Sequence, residues 1–386
     1  MDLKNRIIES AYKIGFNQCR IGSLEPMDEA FDHLKNWLKL GLSAKMEYLQ
    51  KSPELRTNPH FLFPKAKSVI LLSANYYTKP DIRPDGFWGK IANYATGLDY
   101  HKVLPVKVNM FMAELSSFIP QLTTFNCVTD ATPLYEIPLS LRHGMGFKGK
   151  NSLIIAPKLN GSFNFLVEVF CDLELEPDLS YSGTCGKCFR CGDICPTQAI
   201  VENFGIDANK CISYLTIENK LDIPVPLRQQ IKNWVFGCDL CQDICPYNQK
   251  ELPTTFAEFK PESGIGHYLN LDMVLNLKSN RQFNRLFGST AISRARLKGT
   301  IRNSLVVMGN ILNNLTDIEY INPDWNNLDN GLRLLNDHFL TQTDPMLLDH
   351  CAWAISQAHH GYEYLNKIYN LNITPIQKAV LRKYLT

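Results

Sequence analysis

Residues 185–196 read CGKCFRCGDICP, and residues 238–246 repeat the second half of that pattern as CDLCQDICP. The first run has the spacing C-x2-C-x2-C-x3-C-P, in which cysteine thiolates hold iron–sulfur clusters. A complete second run would require a cysteine at position 235, where the chain has Val235. Cys211 lies between the two runs and can supply the missing ligand. These segments therefore predict a module built around two [4Fe–4S] clusters.

The cysteines divide into two ligand sets because, in ferredoxin-type runs of this kind, the fourth cysteine binds the other cluster. One cluster is predicted to have the ligands Cys185, Cys188, Cys191 and Cys245. The other is predicted to have the ligands Cys195, Cys211, Cys238 and Cys241. Thiolate-bound clusters reach reduction potentials as low as about −700 mV, so the module is expected to carry low-potential electrons.

Zinc and disulfides are the alternative roles for these cysteines. Paired C-x2-C units also occur in structural zinc sites, so zinc stays open, although a zinc ribbon has no use for the additional cysteines of each run. Twelve cysteines in 386 residues is far below the density of a disulfide scaffold. The four cysteines outside the runs are expected in the core: Cys19, Cys127, Cys171 and Cys351.

Length and composition indicate a globular protein of several domains. The chain has 386 residues, a net charge of +2 and a hydrophobic fraction of 45%, so two or three domains are expected. No apolar run approaches the roughly 18 residues that a membrane-crossing helix needs. The chain opens on an amphipathic helical pattern and not on a secretory signal. With oxygen-sensitive clusters, this predicts a cytoplasmic protein with no membrane partner.

Residues 1–175 are predicted to form an α/β domain large enough to enclose a cofactor. Helical periodicity covers residues 2–14, 31–50 and 103–118, and strand-like runs cover 69–74, 127–129, 152–156 and 163–171. The glycine-rich segment at 144–151 has the composition of a phosphate-cradling loop, with a tight turn as the alternative. The dinucleotide signature G-x-G-x-x-G after a strand is absent.

Two further domains are predicted to follow. Residues 176–255 form the two-cluster module, expected as a ferredoxin-like α+β domain. Residues 256–386 are almost wholly helical in pattern. Within them, residues 344–355 resemble the paired-helix unit of HEAT repeats, and residues 303–309 resemble a helix that ends at a glycine, Gly309. An ordinary helical cap is the alternative.

Positive charge is concentrated between residues 281 and 302, which contain six basic residues and no acid. Such a block suits an anionic polymer such as a nucleic acid, and a solvated helix face is the alternative. The predicted nucleic-acid contacts are Lys220, Arg281, Arg285, Arg294, Arg296, Lys298 and Arg302.

Four further segments resemble motifs of the epoxyqueuosine reductase family. Residues 93–104, NYATGLDYHKVL, resemble its Y-A-x-G-x-D-Y-H-x-V-L segment, and residues 128–136, VTDATPLYE, resemble V-D-T-x-P-x-x-E in a slightly displaced form. Residues 144–151, GMGFKGKN, are similar to G-x-G-(W/F)-x-x-K-N, and residues 62–69, LFPKAKSV, to L-x-P-x-A-K-S-V. With the cysteine pattern and the basic helical tail, the resemblance covers nearly the whole chain.

The resemblance implies an enzyme of the final step of queuosine synthesis, which reduces epoxyqueuosine to queuosine in the anticodon wobble position of tRNA. It implies cobalamin held between the α/β domain and the clusters, in a domain related to that of reductive dehalogenases. It also implies an external low-potential electron donor of the flavodoxin or ferredoxin type. Electrons are then expected to pass through the two clusters to cobalt.

The resemblance also implies individual site residues. Asp130 is the expected catalytic proton donor, with a simple turn residue as the alternative. An aspartic acid with the ordinary pKa of about 3.9 is ionised at neutral pH, so burial against the corrin would have to raise that value. The expected cobalamin contacts are Arg56, Tyr100, His101, Asp130, Ile154, Ser213, Asp239 and Leu240. A protein imidazole on cobalt is not expected, because the D-x-H-x-x-G motif is absent.

Three rival functions share parts of these features. A cytoplasmic cobalamin-dependent reductive dehalogenase would use the same cofactors but gives the basic helical tail no role. A ferredoxin-type electron carrier without its own catalysis would leave the first 175 residues without a function. A tRNA-binding scaffold would use its clusters only structurally. Cobalamin binding and cluster redox activity distinguish these rivals.

Overall fold

The computed structural model describes residues 2–157, 159, 161–202, 204–249, 252–313 and 326–385. Its helices are α1 (Leu3–Ile14), α2 (Asp28–Lys39), α3 (Pro53–Thr57), α4 (Pro59–Leu62), α5 (Tyr100–Ser116), α6 (Glu136–Arg142), α7 (Arg190–Ile194), α8 (Ile212–Ile217), α9 (Val225–Arg228), α10 (Leu240–Asp243), α11 (Leu271–Leu275), α12 (Asn280–Phe287), α13 (Arg296–Leu312), α14 (Asn326–Thr341), α15 (Pro345–Ser356), α16 (Gly361–Tyr369) and α17 (Pro375–Leu385). Its strands are β1 (Gln18–Gly22), β2 (Ser68–Asn75), β3 (Trp88–Ile91), β4 (Phe125–Val128), β5 (Phe147–Lys148), β6 (Ile154–Ile155), β7 (Asn164–Cys171), β8 (Ile200–Val201), β9 (Gly205–Ile206), β10 (Trp234–Phe236) and β11 (Tyr268–Asn270).

The chain forms two compact units, each built from separate segments. The first contains Met1–Lys79, Gly97–Asn209 and Asp239–Gly264, and the second contains Pro80–Thr96, Lys210–Cys238 and Ile265–Thr386. These units cut across the three consecutive domains expected from the sequence. The reason is strand pairing: β3 pairs in parallel with β10 and antiparallel with β11, which builds residues 80–96 into the second unit.

The first unit is organised around a four-stranded sheet in the order β1-β2-β7-β4. All three strand pairs are antiparallel, so the mixture of helices and strands expected at this end of the chain is present without parallel βαβ units. Every residue of β2 is buried, which is typical of a central strand covered on both faces. The expected strands at 69–74 and 163–171 are confirmed as β2 and β7.

One face of this sheet carries a compact apolar cluster. It consists of Leu24, Met27, Val69, Leu71, Val128, Leu134, Leu139, Met145 and Phe170. Burial of each large side chain contributes about 1.5–3 kcal/mol to stability. The cluster therefore fixes the end of β4 and the start of α6, the segment that contains Asp130.

Two glycines explain where local expectations from the sequence differ from the structure. The helix predicted over residues 31–50 ends at Lys39, because Gly41 adopts a left-handed conformation with φ of 70° that terminates it. In the glycine-rich segment, a side chain at Gly146 would collide with the carbonyl of Ile155. The turn alternative accounts for that glycine, since the segment leads into the β5–β6 hairpin.

The second unit combines the sheet β10-β3-β11 with the C-terminal helices. The helical character expected for this part of the chain is confirmed over the described residues. The HEAT-like details are different: residues 344–355 belong to α15 and its N-cap rather than to two helices. Gly309, expected to end a helix, lies inside α13, where a Cβ atom would come within 2.7 Å of the Trp353 ring and 2.9 Å of the Ala354 Cα. The glycine permits close packing of α13 on α15.

Arg302 is buried in this unit, with none of its surface exposed. Its guanidinium donates hydrogen bonds to the carbonyls of Asn219 (2.8 Å), Leu215 (2.6 Å) and Leu221. These carbonyls lie at and beyond the C-terminal end of α8, where a helix leaves acceptors without partners. Burial lowers the pKa of Arg302 to about 10, so the side chain keeps its positive charge at neutral pH.

The expectation that Arg302 contacts nucleic acid is therefore wrong. Its charge neutralises the end of a helix inside the protein, and its donors are already directed at carbonyl oxygens. Sequence periodicity did not reveal this, because α13 is buried around its whole circumference between Gly299 and Asn310.

In the part of the chain that the structure describes, we find no helix with the length and apolar character required to cross a membrane.

We expect Arg302→Met to destabilise the second unit by about 3 kcal/mol or more, because each buried carbonyl left without a donor costs about 1–3 kcal/mol. The measurement is thermal or urea unfolding of the purified protein. Arg281→Met is the matched control: Arg281 is exposed on α12, and this change should alter stability by less than about 0.5 kcal/mol. Equal melting temperatures for the two variants would contradict the structural role of Arg302.

Candidate active site and cluster ligands

Asp130 lies in the turn that follows β4, with its side chain 67% exposed. Its backbone has a φ of 54°, a left-handed conformation that few non-glycine residues adopt. The Tyr100 hydroxyl donates a hydrogen bond of 2.7 Å to Asp130 Oδ2, and the Asp130 N–H donates one of 2.7 Å to Glu136 Oε1. Asp130 therefore lies in a turn, as the alternative expected, and presents an oriented but accessible carboxyl group.

Tyr100 and His101 reach Asp130 from the first turn of α5. The helix begins there because the Asp99 side chain accepts the His101 N–H and caps it. The same carboxylate lies 2.8 Å from His101 Nδ1, while His101 Nε2 lies 3.9 Å from Asp130 Oδ2. Burial alone would raise the pKa of Asp99, but the hydrogen bonds from the ring and backbone of His101 hold it below its usual value. This ionised Asp99 orients the imidazole toward Asp130.

Arg56 is connected to the Asp130 turn through the backbone. Its carbonyl accepts a hydrogen bond of 2.7 Å from the Tyr135 N–H, and its Nη2 donates to the Tyr48 carbonyl at 2.8 Å. Its Nε is buried and has no hydrogen-bond partner among the described residues. Ile154 is partly buried and packs against the apolar cluster that also holds Leu134.

The remaining expected cofactor contacts are divided between the two units. Asp239 is buried, immediately ahead of α10, and accepts a hydrogen bond of 2.9 Å from Gln242 Nε2. Leu240 begins α10 and is partly buried. These two belong to the first unit, whereas Ser213 lies on α8 in the second. All three remain predictions as cofactor contacts.

The first predicted ligand set is drawn together within the first unit. Burial raises the pKa of the Cys191 thiol, and the nearby charges of Cys185 and Cys245 add to this effect. Burial likewise raises the pKa of Cys245, which also senses Cys185 and Cys188. The Cys188 N–H donates to the Cys185 carbonyl at 3.1 Å. All four predicted ligands are therefore neighbours, although residues 191 and 245 are distant in sequence.

The second predicted set is divided between the units, with Cys195 and Cys241 in the first and Cys211 and Cys238 in the second. Around Cys195, the Ala199 N–H donates to the sulfur at 3.3 Å, and the Thr197 hydroxyl lies 3.4 Å from it. Hydrogen bonds to sulfur raise the reduction potential of a bound cluster. Thr197 and Ala199 therefore place polar hydrogens near the Cys195 sulfur, which suits a thiolate that binds a cluster.

The predicted basic residues differ in how they are engaged. Arg294 is held by Glu218 through contacts of 2.6 and 3.0 Å, and Lys298 lies 2.6 Å from Asp344. The Lys220 ammonium donates to the carbonyls of Ile217 (2.7 Å) and Arg294 (2.9 Å). The other predicted contacts apart from the buried Arg302 are exposed: Arg281, Arg285 and Arg296. Arg281 and Arg285 lie one turn apart on α12, opposite the buried Phe283 and Phe287.

Two family models match this chain. Residues 184–248 match the 4Fe-4S double cluster binding domain, and residues 56–131 match Epoxyqueuosine reductase QueG, DUF1730. The chain is 38% identical over 296 residues to the epoxyqueuosine reductase of Cyclobacterium marinum, covering 76% of this chain and 93% of the relative. It is 33% identical over 365 residues to that of Escherichia coli, covering 92% and 89%.

Solved structures agree with these relatives. A crystal structure of epoxyqueuosine reductase with an epoxyqueuosine-modified tRNA-Tyr stem loop matches with a TM-score of 0.84 and 28% identity over 99% of this chain and 98% of that chain. The enzyme from Bacillus subtilis, with its catalytic aspartate loop swung out of the active site, matches with a TM-score of 0.83 and 27% identity over the same shares.

The fold and the cysteine site define an oxidoreductase with a double-cluster iron–sulfur domain. Within that class, the chain belongs to the epoxyqueuosine reductase family. The family resemblance recognised in the sequence is thereby confirmed, as is the assignment as an enzyme.

We expect Cys245→Ala to lower the iron and sulfide content of anaerobically purified protein toward about half, because one of two [4Fe–4S] clusters loses a ligand. Cys127→Ala is the control, since Cys127 lies on β4 outside the cysteine runs and its removal should leave both contents unchanged. Chemical iron and sulfide analysis, with electron paramagnetic resonance of the reduced protein, makes the comparison. Full iron content in Cys245→Ala would remove this residue from the ligand set.

Proposed function

We propose that this chain reduces epoxyqueuosine to queuosine in the anticodon wobble position of tRNA, using cobalamin and two [4Fe–4S] clusters. The observation that carries the proposal is the accessible Asp130 carboxyl, oriented by Tyr100 and His101. It lies in the segment that matches the family model. Family membership supports this reaction over a dehalogenase or a carrier without catalysis. We place the reaction in the cytoplasm with its tRNA substrate.

The residues around Asp130 fit a corrin. Arg56 offers a buried Nε donor that no described residue uses, and a corrin bears amide oxygens along its edge that accept such bonds. Ile154 offers an apolar surface, and the Tyr100 and His101 rings stack with centroids 4.0 Å apart. Arg56, Tyr100, His101, Asp130 and Ile154 would therefore hold cobalamin, with Ser213, Asp239 and Leu240 as further contacts. Bound cobalamin supplies a low-potential, nucleophilic metal centre.

Asp130 is proposed to supply the proton that the reaction requires at the epoxide oxygen. Removal of that oxygen consumes two electrons and two protons and releases water. Tyr100 fixes Oδ2, which leaves Oδ1 to hold the proton. Because the side chain is 67% exposed in the protein alone, a bound corrin and substrate would provide the burial that a neutral aspartic acid needs.

The clusters are proposed to deliver the electrons. Cys185, Cys188, Cys191 and Cys245 would hold one, and Cys195, Cys211, Cys238 and Cys241 the other, with an external donor of the flavodoxin or ferredoxin type. The match of residues 184–248 to a double-cluster domain supports two clusters.

The tRNA is proposed to bind the exposed basic residues of the C-terminal helices. A solved relative holds an epoxyqueuosine-modified tRNA stem loop. Arg281, Arg285 and Arg296 have exposed side chains that suit phosphate contacts. Lys220, Arg294 and Lys298 would join them by exchanging their present partners. A base in an anticodon loop is single-stranded and reaches a pocket at little cost.

The test is anaerobic purification with iron and sulfide, addition of cobalamin, and reaction with epoxyqueuosine-bearing tRNA and a chemical reductant. We expect cobalamin to bind and queuosine to form, as measured by mass spectrometry of tRNA nucleosides. A protein that retains both clusters and cobalamin but forms no queuosine would overturn the proposal.

We expect Asp130→Asn to lower kcat by about 10²–10⁴-fold, because general acid catalysis contributes about that factor. Cobalamin and cluster absorbance should be unchanged, since the amide retains the shape of the side chain. Asp28→Asn, at an exposed acid in the first turn of α2, is the matched control and should retain full activity. Wild-type turnover in Asp130→Asn would remove the assigned role.

Charge reversal at Arg281, Arg285 and Arg296 should weaken tRNA binding, because fewer phosphates are then neutralised by the protein. The slope of log K against log salt should become shallower by about 0.7–0.9 for each phosphate that is no longer neutralised. Fluorescence anisotropy with labelled tRNA at several salt concentrations measures both quantities. Lys39→Glu, at the end of α2, changes the net charge by the same amount per site and should have little effect. Unchanged affinity of the triple variant at low salt would argue against this surface.

A further inference from the structure

A buried pair of carboxyl groups lies behind the Asp130 turn. Glu168 is in the middle of β7 and is completely buried, because the sheet register places it between Leu71 on β2 and Val128 on β4. Glu136 is the first residue of α6, and its carboxyl makes a side-chain hydrogen-bond contact with that of Glu168.

This contact requires a proton. Two ionised carboxylates can only accept hydrogen bonds. With Glu136 and Glu168 both ionised, neither oxygen of Glu168 receives a hydrogen bond from the described residues. One proton held between Glu136 and Glu168 turns the contact into a hydrogen bond. Burial raises the pKa of Glu136 to about 7, and burial together with the charge of Glu136 raises the pKa of Glu168 well above its usual value. At neutral pH and below, the pair therefore retains at least one proton.

The pair is connected to Asp130 through the backbone. Glu136 Oε1 accepts the Asp130 N–H at 2.7 Å, and the preceding Thr129 hydroxyl donates to the Leu166 carbonyl on β7 at 3.2 Å. Asp130 has a left-handed backbone with φ of 54°, a conformation that persists in a non-glycine residue only where its surroundings hold it. The hydrogen bond to Glu136 is one such constraint.

We propose that Glu136 and Glu168 are positioning residues that share one proton and thereby hold the Asp130 carboxyl where Tyr100 and His101 meet it. This inference rests on the proposed role of Asp130. Loss of the proton places two negative charges in apolar surroundings, where their repulsion separates the carboxyls and weakens the hold on the Asp130 N–H. Because both pKa values are raised in the folded protein, the pair contributes its full stability at low pH. It begins to lose that stability as the pH rises through about 7, where Glu136 ionises, and loses the rest at higher pH, when Glu168 gives up the shared proton.

The charged groups around the pair act in both directions. The negative charge of Asp130 raises the pKa of Glu136. The charge of His101, on α5, lowers the pKa of Glu136. On β4, burial and the charge of Glu168 raise the pKa of the Cys127 thiol to about 12, so Cys127 is neutral over the relevant range. On β2, the facing residue Leu71 is apolar.

The test compares Glu168→Gln, Glu136→Gln and Glu136→Leu by amide hydrogen exchange of residues 129–136 between about pH 5.5 and about pH 9, in the cluster-loaded protein without cobalamin or tRNA. In wild type, the protection of the Asp130 N–H, corrected for intrinsic exchange, should decrease as the pH rises above about 7 and the pair gives up its shared proton. In Glu168→Gln the amide donates to Glu136 without a titrating proton, so protection should persist to high pH. Glu136→Leu removes the acceptor of the Asp130 N–H, so in this variant the Asp130 N–H should be unprotected over the whole pH range.

Activity provides the second measurement. Glu136→Leu should lower kcat by about 100-fold, the effect of a misplacement of about 1 Å, while KM for tRNA stays within about twofold of wild type. Glu136→Gln retains an acceptor for Asp130 and should restore most of the rate. Iron content and melting temperature confirm that each variant is folded.

Two outcomes would overturn the inference: wild-type pH dependence of protection in Glu168→Gln, or full protection in folded Glu136→Leu. Exchange is measured without substrate, so it separates this inference from the proposed reaction. The expected exchange pattern in a protein that forms no queuosine would support the positioning role and contradict the proposed function.

Discussion

The pairing of β7 with β2 on one edge and β4 on the other determines where the candidate chemistry lies. This register brings Glu168 opposite Val128 and ends β4 two residues before Asp130. The apolar cluster on the same face then fixes the segment from Val128 to Leu139. A shift of one residue in this register would turn every β4 side chain to the other face and remove Asp130 from Tyr100. The position of one carboxyl group thus depends on a sheet that is otherwise purely structural.

Buried polar groups have different purposes in the two units. In the second unit, Arg302, Asn303 and Asn310 donate to backbone carbonyls that helix ends and turns leave without partners. These donated hydrogen bonds stabilise the packing of α13. In the first unit, Glu168 is buried without a fixed donor, and its environment changes with a single proton. The hydrogen bonds of Arg302 do not depend on pH near neutrality, because Arg302 stays charged there. The Glu136–Glu168 contact does depend on pH, because its carboxyls titrate from about pH 7 upward.

Several elements could be predicted from the sequence because their signals are local. The thiolate spacing specified the double-cluster domain, now supported by a family match, and the motif around Tyr100 and Asp130 indicated the family. Apolar runs located β2 and β7, although not the antiparallel order of the sheet. Linear division into domains failed to anticipate the second unit, because β3 pairs with strands from residues 234–236 and 268–270, and pairing partners at that separation leave no local signature.

The sequence by itself determined the ligand chemistry and the family, since both depend on residue types at short, fixed spacings. Only the tertiary structure decided which charged residues face solvent and which are enclosed. Arg302 and Arg281 belong to the same basic run in the sequence. In the structure, α13 is buried on all sides around Arg302, whereas α12 exposes the face that contains Arg281 to solvent. No sequence motif singles out Glu168 either, and its contact with Glu136 and its burial are seen only in the structure. The physical reason is that desolvation and charge pairing depend on contacts between distant segments, which packing alone establishes.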